Sequence, residues 1–222
     1  MKAEPPQAQP IEPPKPSFRG RLHQIAFFLA IPAGITLVTA ARTGAARAAA
    51  TIYALALAGL YGTSAAYHRL PWSSRSLRWM RRLDHSMIFV LIAGTYTPFA
   101  VLVLDGAWRV AILSIVWAGA ALGILLKMVR IDGLKAVGGA LYISLGWLAV
   151  VALPKIVSGL NGPAVGLLLA GGVLYTGGAI VLATHKPNPD PRVFGYHEIW
   201  HSFVVAAGVC HYALIFSLVR AG

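Results

Sequence analysis

The sequence predicts an all-α membrane protein: a bundle of seven transmembrane helices, with the N-terminus in the cytoplasm and the C-terminus outside. Three observations predict it. Only 12% of the 222 residues are charged and 57% are hydrophobic, with a mean hydropathy of +0.68. A soluble domain carries about 25% charge, so this chain cannot cover a water-facing surface. Apolar stretches of roughly 20 residues, long enough to cross a hydrocarbon core of about 30 Å, recur between turn residues and charges. Finally, apolar residues do not alternate with a period of two, which argues against a membrane β-barrel.

Residues 1–20 are expected to form a proline-rich, disordered cytoplasmic tail, and 21–222 the membrane domain. The tail holds Pro5, Pro6, Pro10, Pro13, Pro14 and Pro16 and has no apolar face to bury. The first span, Ile25–Ala41, contains Pro32 and is longer than most signal h-regions. The cleavage-like triplet Val38-Thr39-Ala40 is therefore read as part of a retained helix. The remaining spans are Ala46–Tyr67, Leu83–Leu104, Trp108–Leu126, Val137–Leu153, Ala164–Thr184 and His197–Val219. Short loops make consecutive helices antiparallel neighbours. Gly119 and Gly123, in a GxxxG spacing, are expected to allow close backbone approach.

The distribution of Lys and Arg sets the orientation. Fourteen of the 19 fall on one side: Lys2, Lys15, Arg19 and Arg21 in the tail; Arg69, Arg75, Arg78, Arg81 and Arg82 in the second loop; Lys127, Arg130 and Lys135 in the fourth; Lys186 and Arg192 in the sixth. Arg42, Arg47, Arg109, Lys155 and Arg220 fall on the other. The positive-inside rule assigns the first side to the cytoplasm. A net charge of +12 would point to nucleic acid in a soluble protein. Here it is read as topogenic charge that also meets anionic lipid at the cytoplasmic face, with no nucleic-acid partner expected. Trp72 and Trp79, among the arginines, fit an interfacial aromatic belt. The single Cys210 excludes an intramolecular disulfide and a multi-cysteine metal cluster.

Ionisable groups inside membrane helices are costly, so each needs a reason. Ser64 and His68 end the second span, Asp84 and His85 begin the third, and His197, Glu198 and His201 begin the seventh. All three ends lie on the cytoplasmic side, at one depth. Ser64 and His68 share a helix face, as do His197 and His201. Two imidazoles at i and i+4 can grip one metal ion. With His68 they make three protein ligands and an open position, the pattern of catalytic zinc. Asp84 could hold or deprotonate a water there, and Ser64 could hydrogen-bond that water or a substrate carbonyl. Interfacial histidines also serve simply to hydrogen-bond headgroups or backbone carbonyls; four polar groups converging at one depth favour the metal. His85, about 100° around the helix from Asp84, is expected beside the site or at the interface. Glu198 is expected to cap the helix start. His211, about 21 Å along the helix from His197, is expected to pack.

The ordered set Ser64-x3-His68, Asp84-His85 and His197-x3-His201 resembles the hemolysin III family. That family is the bacterial branch of the progestin and adipoQ receptors, within a superfamily of membrane zinc hydrolases. Tyr67-His68-Arg69, Leu83-Asp84-His85 and Gly94-Thr95-Tyr96-Thr97-Pro98 carry the same resemblance, which covers nearly all of the chain after the tail. It implies a seven-helix bundle of the bacterial inner (plasma) membrane with an intracellular N-terminus. It also implies Zn2+ on His68, His197 and His201, with Asp84 and Ser64 beside it as catalytic groups.

The activity expected on these grounds is hydrolysis of a lipid amide or ester whose acyl chain lies among the helices. Zinc would acidify water and polarise the carbonyl, and Ser64 would help stabilise the oxyanion. A non-enzymatic role in lipid sensing or membrane homeostasis is the alternative. A cytolytic pore ranks lower, because the charge bias is that of a resident polytopic protein. A haem site is disfavoured: His197 and His201 on one face of one helix cannot bracket an iron.

Overall fold

A computed structural model of the chain describes residues 16–131 and 135–221. Its helices are α1 (Arg21–Ala40), α2 (Gly44–Arg69), α3 (Ser74–Leu102), α4 (Gly106–Val129), α5 (Lys135–Gly146), α6 (Leu153–Ser158), α7 (Gly162–Thr184) and α8 (Tyr196–Ala221). A 3-10 turn, Trp147–Val150, joins α5 to α6. Six of these helices (α1 to α4, α7 and α8) are long and apolar enough to cross a membrane, and Val137–Val150 is a shorter apolar helical segment. The protein is thus an all-α membrane bundle. Helices suit that setting because every backbone N–H and C=O finds its partner within the segment.

Helix starts follow local chemistry. Thr43, Ser73 and Asn161 cap α2, α3 and α7, their side-chain oxygens accepting from the backbone N–H three residues on. In α7, Pro163 follows in the first turn, where its missing N–H costs nothing. The Ser73 cap also makes α3 begin at Ser74, well before Leu83. The arginine-rich turn Ser74–Arg82 carries no hydropathy signal, yet it is helical. There Arg82 lies over the Trp79 ring, 5.0 Å from its centroid. Trp72 Nε1 donates to the Ala66 carbonyl at 2.9 Å.

The fifth expected span, Val137–Leu153, is built differently from the others. Pro154 cannot continue a helix from Leu153, because its ring would meet the carbonyl four residues back. Helix α5 ends at Gly146, and the chain passes through the 3-10 turn before α6 starts with Pro154 in its first turn. Backbone groups freed at such a break need partners inside a membrane domain. Tyr96 of α3 supplies both: its hydroxyl donates to the Gly146 carbonyl at 3.0 Å and accepts from Ala149 N–H at 2.6 Å. Replacing Tyr96 with Phe removes both bonds and should destabilise the fold by about 2 kcal/mol. The measurement is the thermal unfolding midpoint of detergent-purified protein. An unchanged midpoint would mean that the break is held by packing alone.

Small residues bring the helices together, as membrane packing requires. Gly94 of α3 lies against Ala56 of α2, Gly123 of α4 leaves room for the Phe89 ring of α3, and Gly119 of α4 faces Leu145 of α5. Two buried clusters result. One joins α1, α2, α3, α7 and α8 around Leu37, Tyr53, Leu57, Tyr61, Leu214 and Ile215. The other joins α3 to α4, α5 and α6 around Phe89, Ile112, Val116 and Ile156. Helix α3 serves both, and α1 closes against α8.

Of the stretch assigned to the tail, residues 1–15 lie outside the described residues. Residues 16–20 are folded onto the loop before α8: Ser17 N–H donates to Arg192 O at 3.0 Å and Phe18 N–H to Val193 O at 3.2 Å. Gly20 then turns the chain into α1 with φ +77°, and any Cβ there would strike His68. Only glycine meets both demands.

Candidate metal centre

The C-terminal end of α2 and the N-terminal ends of α1, α3 and α8 meet on the side that the charge count assigns to the cytoplasm. His68 sits in the last turn of α2, and His197 and His201 in the first two turns of α8. One ring nitrogen from each of the three lies within 4.8 Å of the others. His68 Nε2 and His197 Nε2 are 3.3 Å apart. Tetrahedral zinc with nitrogen at about 2.0–2.1 Å places its ligands about 3.3 Å apart, so this pair spans one edge of such a site. His201 is 1% exposed, and its Nε2 is buried without a hydrogen-bond partner. A buried polar nitrogen left unpaired is costly, and a metal would satisfy it. The donor set therefore fits a zinc ion.

The start of α8 is held firmly, which fixes two of the three imidazoles. Glu198 is buried, at 1% exposure. Its Oε2 accepts from Gly195 N–H at 2.9 Å, the carboxylate half of a capping box. Its Oε1 lies 2.6 Å from Arg19 Nε. Asn188 Oδ1 accepts from Tyr196 N–H at 3.0 Å. The capping expectation for Glu198 is met, and its pairing with Arg19 is an addition that the sequence reading lacked.

Asp84, on α3, and Ser64, one turn before His68 on α2, face each other closely enough for the hydroxyl to donate to the carboxylate. Asp84 is nearly buried, with 12% of its side chain exposed, and its Oδ2 is 3.6 Å from His85 Nδ1. His85 Nδ1 also lies 2.8 Å from the Arg81 carbonyl, and the Tyr142 hydroxyl donates to the His85 carbonyl at 2.8 Å. His85 thus flanks Asp84 and stands outside the triad. His211 packs deeper, its ring 6.3 Å from that of Phe99 and 5.5 Å from that of Tyr175.

The structure adds His23, in the first turn of α1. Its ring stacks on His201 at 3.7 Å with an interplanar angle of 9°. It is 2% exposed and neither ring nitrogen has a hydrogen-bond partner. The sequence expectation starts the first span at Ile25 and leaves His23 outside it. The depth argument applied to the second, third and seventh spans would have found it on the first.

A cavity of about 740 Å³ reaches His23, Ser64, Asp84 and His85. A second, of about 330 Å³, shares walls with it at Thr95, Tyr96, Tyr142, Tyr175 and His211 and is otherwise lined mainly by apolar side chains such as Phe99, Leu153, Ile156 and Leu168. The pair forms a largely apolar chamber with a few polar groups on its wall, joined to an apolar limb.

The sequence matches the family model described as "Haemolysin-III related" over residues 11–212. It is 37% identical over 186 residues to "Hemolysin-3" of Bacillus cereus, covering 82% of this chain and 82% of that protein. It is 33% identical over 202 residues to "Hemolysin-3 homolog" of Bacillus subtilis (strain 168), covering 89% and 92%. A more distant likeness, 25% over 170 residues, is to the "Monocyte to macrophage differentiation factor" of Homo sapiens, covering 75% of this chain and 68% of that one. Taken with the apolar helices, these matches make the protein a multi-pass bacterial membrane protein, and the chain belongs to the haemolysin-III related family.

Proposed function

We propose that His68, His197 and His201 hold a zinc ion and that the protein hydrolyses a lipid amide or ester at that site. The observation that carries this reading is the convergence of three imidazole nitrogens within 4.8 Å beside an interacting Asp84–Ser64 pair on the wall of a lipid-sized cavity. Zinc bound there would polarise a carbonyl and bring the pKa of water from about 15.7 toward about 7. The chain's own residues do the rest. Asp84 takes the proton from the attacking water and returns it to the amine or alcohol that leaves as the C–N or C–O bond breaks and the carbonyl re-forms. The Ser64 hydroxyl, now turned to the Asp84 carboxylate, reaches the carbonyl oxygen and donates to it as negative charge develops. The apolar limb holds the acyl chain and fixes the carbonyl near the cytoplasmic interface.

A structural or lipid-sensing metal would be favoured by a fourth protein ligand. His23 is the nearest further imidazole, but it lies parallel against His201 and is not in the set of converging ligands. The triad leaves a coordination position for substrate or water, which supports the hydrolase over the non-enzymatic alternative.

The test is elemental analysis of detergent-purified protein, followed by a turnover screen of long-chain amides and esters. About one zinc per wild-type chain and near none in His201→Ala is expected, since three-ligand binding does not survive the loss of one imidazole. Metal-free wild-type protein, prepared without chelator, would remove the mechanism.

A further inference from the structure

Lys127 ends α4 on the cytoplasmic side, where a lysine ordinarily turns its ammonium out to water. Here it does the opposite: the residue is 4% exposed and lines the large cavity. Its Nζ lies 5.5 Å from the centre of the Tyr142 ring. Gly138 of α5 makes room for it, since a Cβ at that position would collide with the ammonium. Arg19 pairs with Glu198 and His85 with Asp84, and neither ion pair involves Lys127. Lysine is almost never fully buried unless paired, and an aromatic face alone is a weak substitute for a counter-ion. Arg81, Asp84 and His85 line the same cavity, and the Asp84 carboxylate lies beside His85, 3.6 Å from its Nδ1.

We propose that Lys127 receives the negatively charged head group of the lipid whose chain occupies the cavity. The shared chemistry is an anionic oxygen group, either the carboxylate of a fatty acyl compound or the phosphate of a single-chain phospholipid. The inference rests on the reading of the cavity as a lipid site, and it narrows the substrate class. The ligand carries its charge on the polar side, near Lys127, while its alkyl chain runs into the apolar limb past Tyr96 and Phe99. A neutral lipid of the same chain length would leave Lys127 facing the cavity without a counter-ion.

The experiment measures calorimetric binding of three probes that share one chain and carry no amide or carboxylic ester bond: oleate, oleyl phosphate and oleyl alcohol. The full chain is purified in a neutral detergent. Wild-type protein is expected to bind one or both anions at least about tenfold tighter than the alcohol, the scale of one charge-assisted contact. The tighter of the two identifies the head group. Lys127→Met should keep the affinity for the alcohol, which also reports an intact fold, and lose the preference for the anions. Lys127→Arg should retain it. His201→Ala should retain it as well, because the charge is read away from the metal ligands. Equal binding of anions and alcohol by wild-type protein would overturn the proposal. So would a preference that survives Lys127→Met, or one that disappears in His201→Ala. None of these readings requires turnover, so a protein that binds anions by Lys127 and hydrolyses nothing would refute the hydrolase and leave this site standing.

Discussion

Under the proposed hydrolase, Asp84→Asn is expected to keep the wild-type metal content and to lose turnover by about 10²–10⁴-fold. The two halves of that expectation have separate causes. The three converging nitrogens belong to His68, His197 and His201, so removing the Asp84 charge takes away no ligand. Asparagine has nearly the same shape and can still accept from the Ser64 hydroxyl, so the α2–α3 contact survives. What it cannot do is accept a proton from water. Zinc content by elemental analysis and kcat/KM on the best substrate of the lipid screen would be measured on the same preparation. Loss of both together would make Asp84 a structural support of the metal. Full retention of turnover would remove it from the reaction.

Much of this architecture is legible in the sequence because membranes impose one-dimensional rules. Hydropathy marks seven spans, six of which are long apolar helices in the structure, and the Lys/Arg bias places the ends that carry Ser64, His68, Asp84, His197 and His201 on one side. The structure brings those residues together. The misses arise where hydropathy is silent or tertiary packing decides. The Ser74–Arg82 turn of α3 is too charged to register as part of a span, and only the Ser73 cap signals it. The fifth span is apolar throughout, so composition marks a crossing segment but not the Gly146–Pro154 break or the Tyr96 hydroxyl that satisfies it. His23 lies just before the apolar run of α1 and escapes a search confined to span interiors. The inward turn of Lys127 depends on Gly138 and Tyr142, which are remote from it in the helix pattern, and one more lysine at a helix end reads as topogenic charge.

The other large effect is expected at Arg19, a residue that composition assigns to a featureless tail. Arg19→Ala should destabilise the protein by about 3 kcal/mol. Glu198 is 1% exposed and its Oε1 has Arg19 Nε at 2.6 Å; breaking a buried pair on one side leaves an uncompensated charge, which costs about 3–5 kcal/mol. The lower end applies because the Arg19 side chain is 22% exposed, so water partly replaces it. The loss falls on the capping box of α8, between His197 and His201, and zinc occupancy should drop with stability. Thermal unfolding and metal content would be read for Arg19→Ala, Glu198→Gln and the double variant. Glutamine keeps an oxygen for Gly195 N–H while removing the charge, so the double variant should recover most of what Arg19→Ala loses. That recovery measures the coupling between the two side chains. If Arg19→Ala stays within about 0.5 kcal/mol of wild type, the range of an ordinary surface change, the pair does not hold the N-terminal end of α8, and the backbone bonds from Ser17 and Phe18 to Arg192 and Val193 must do so instead.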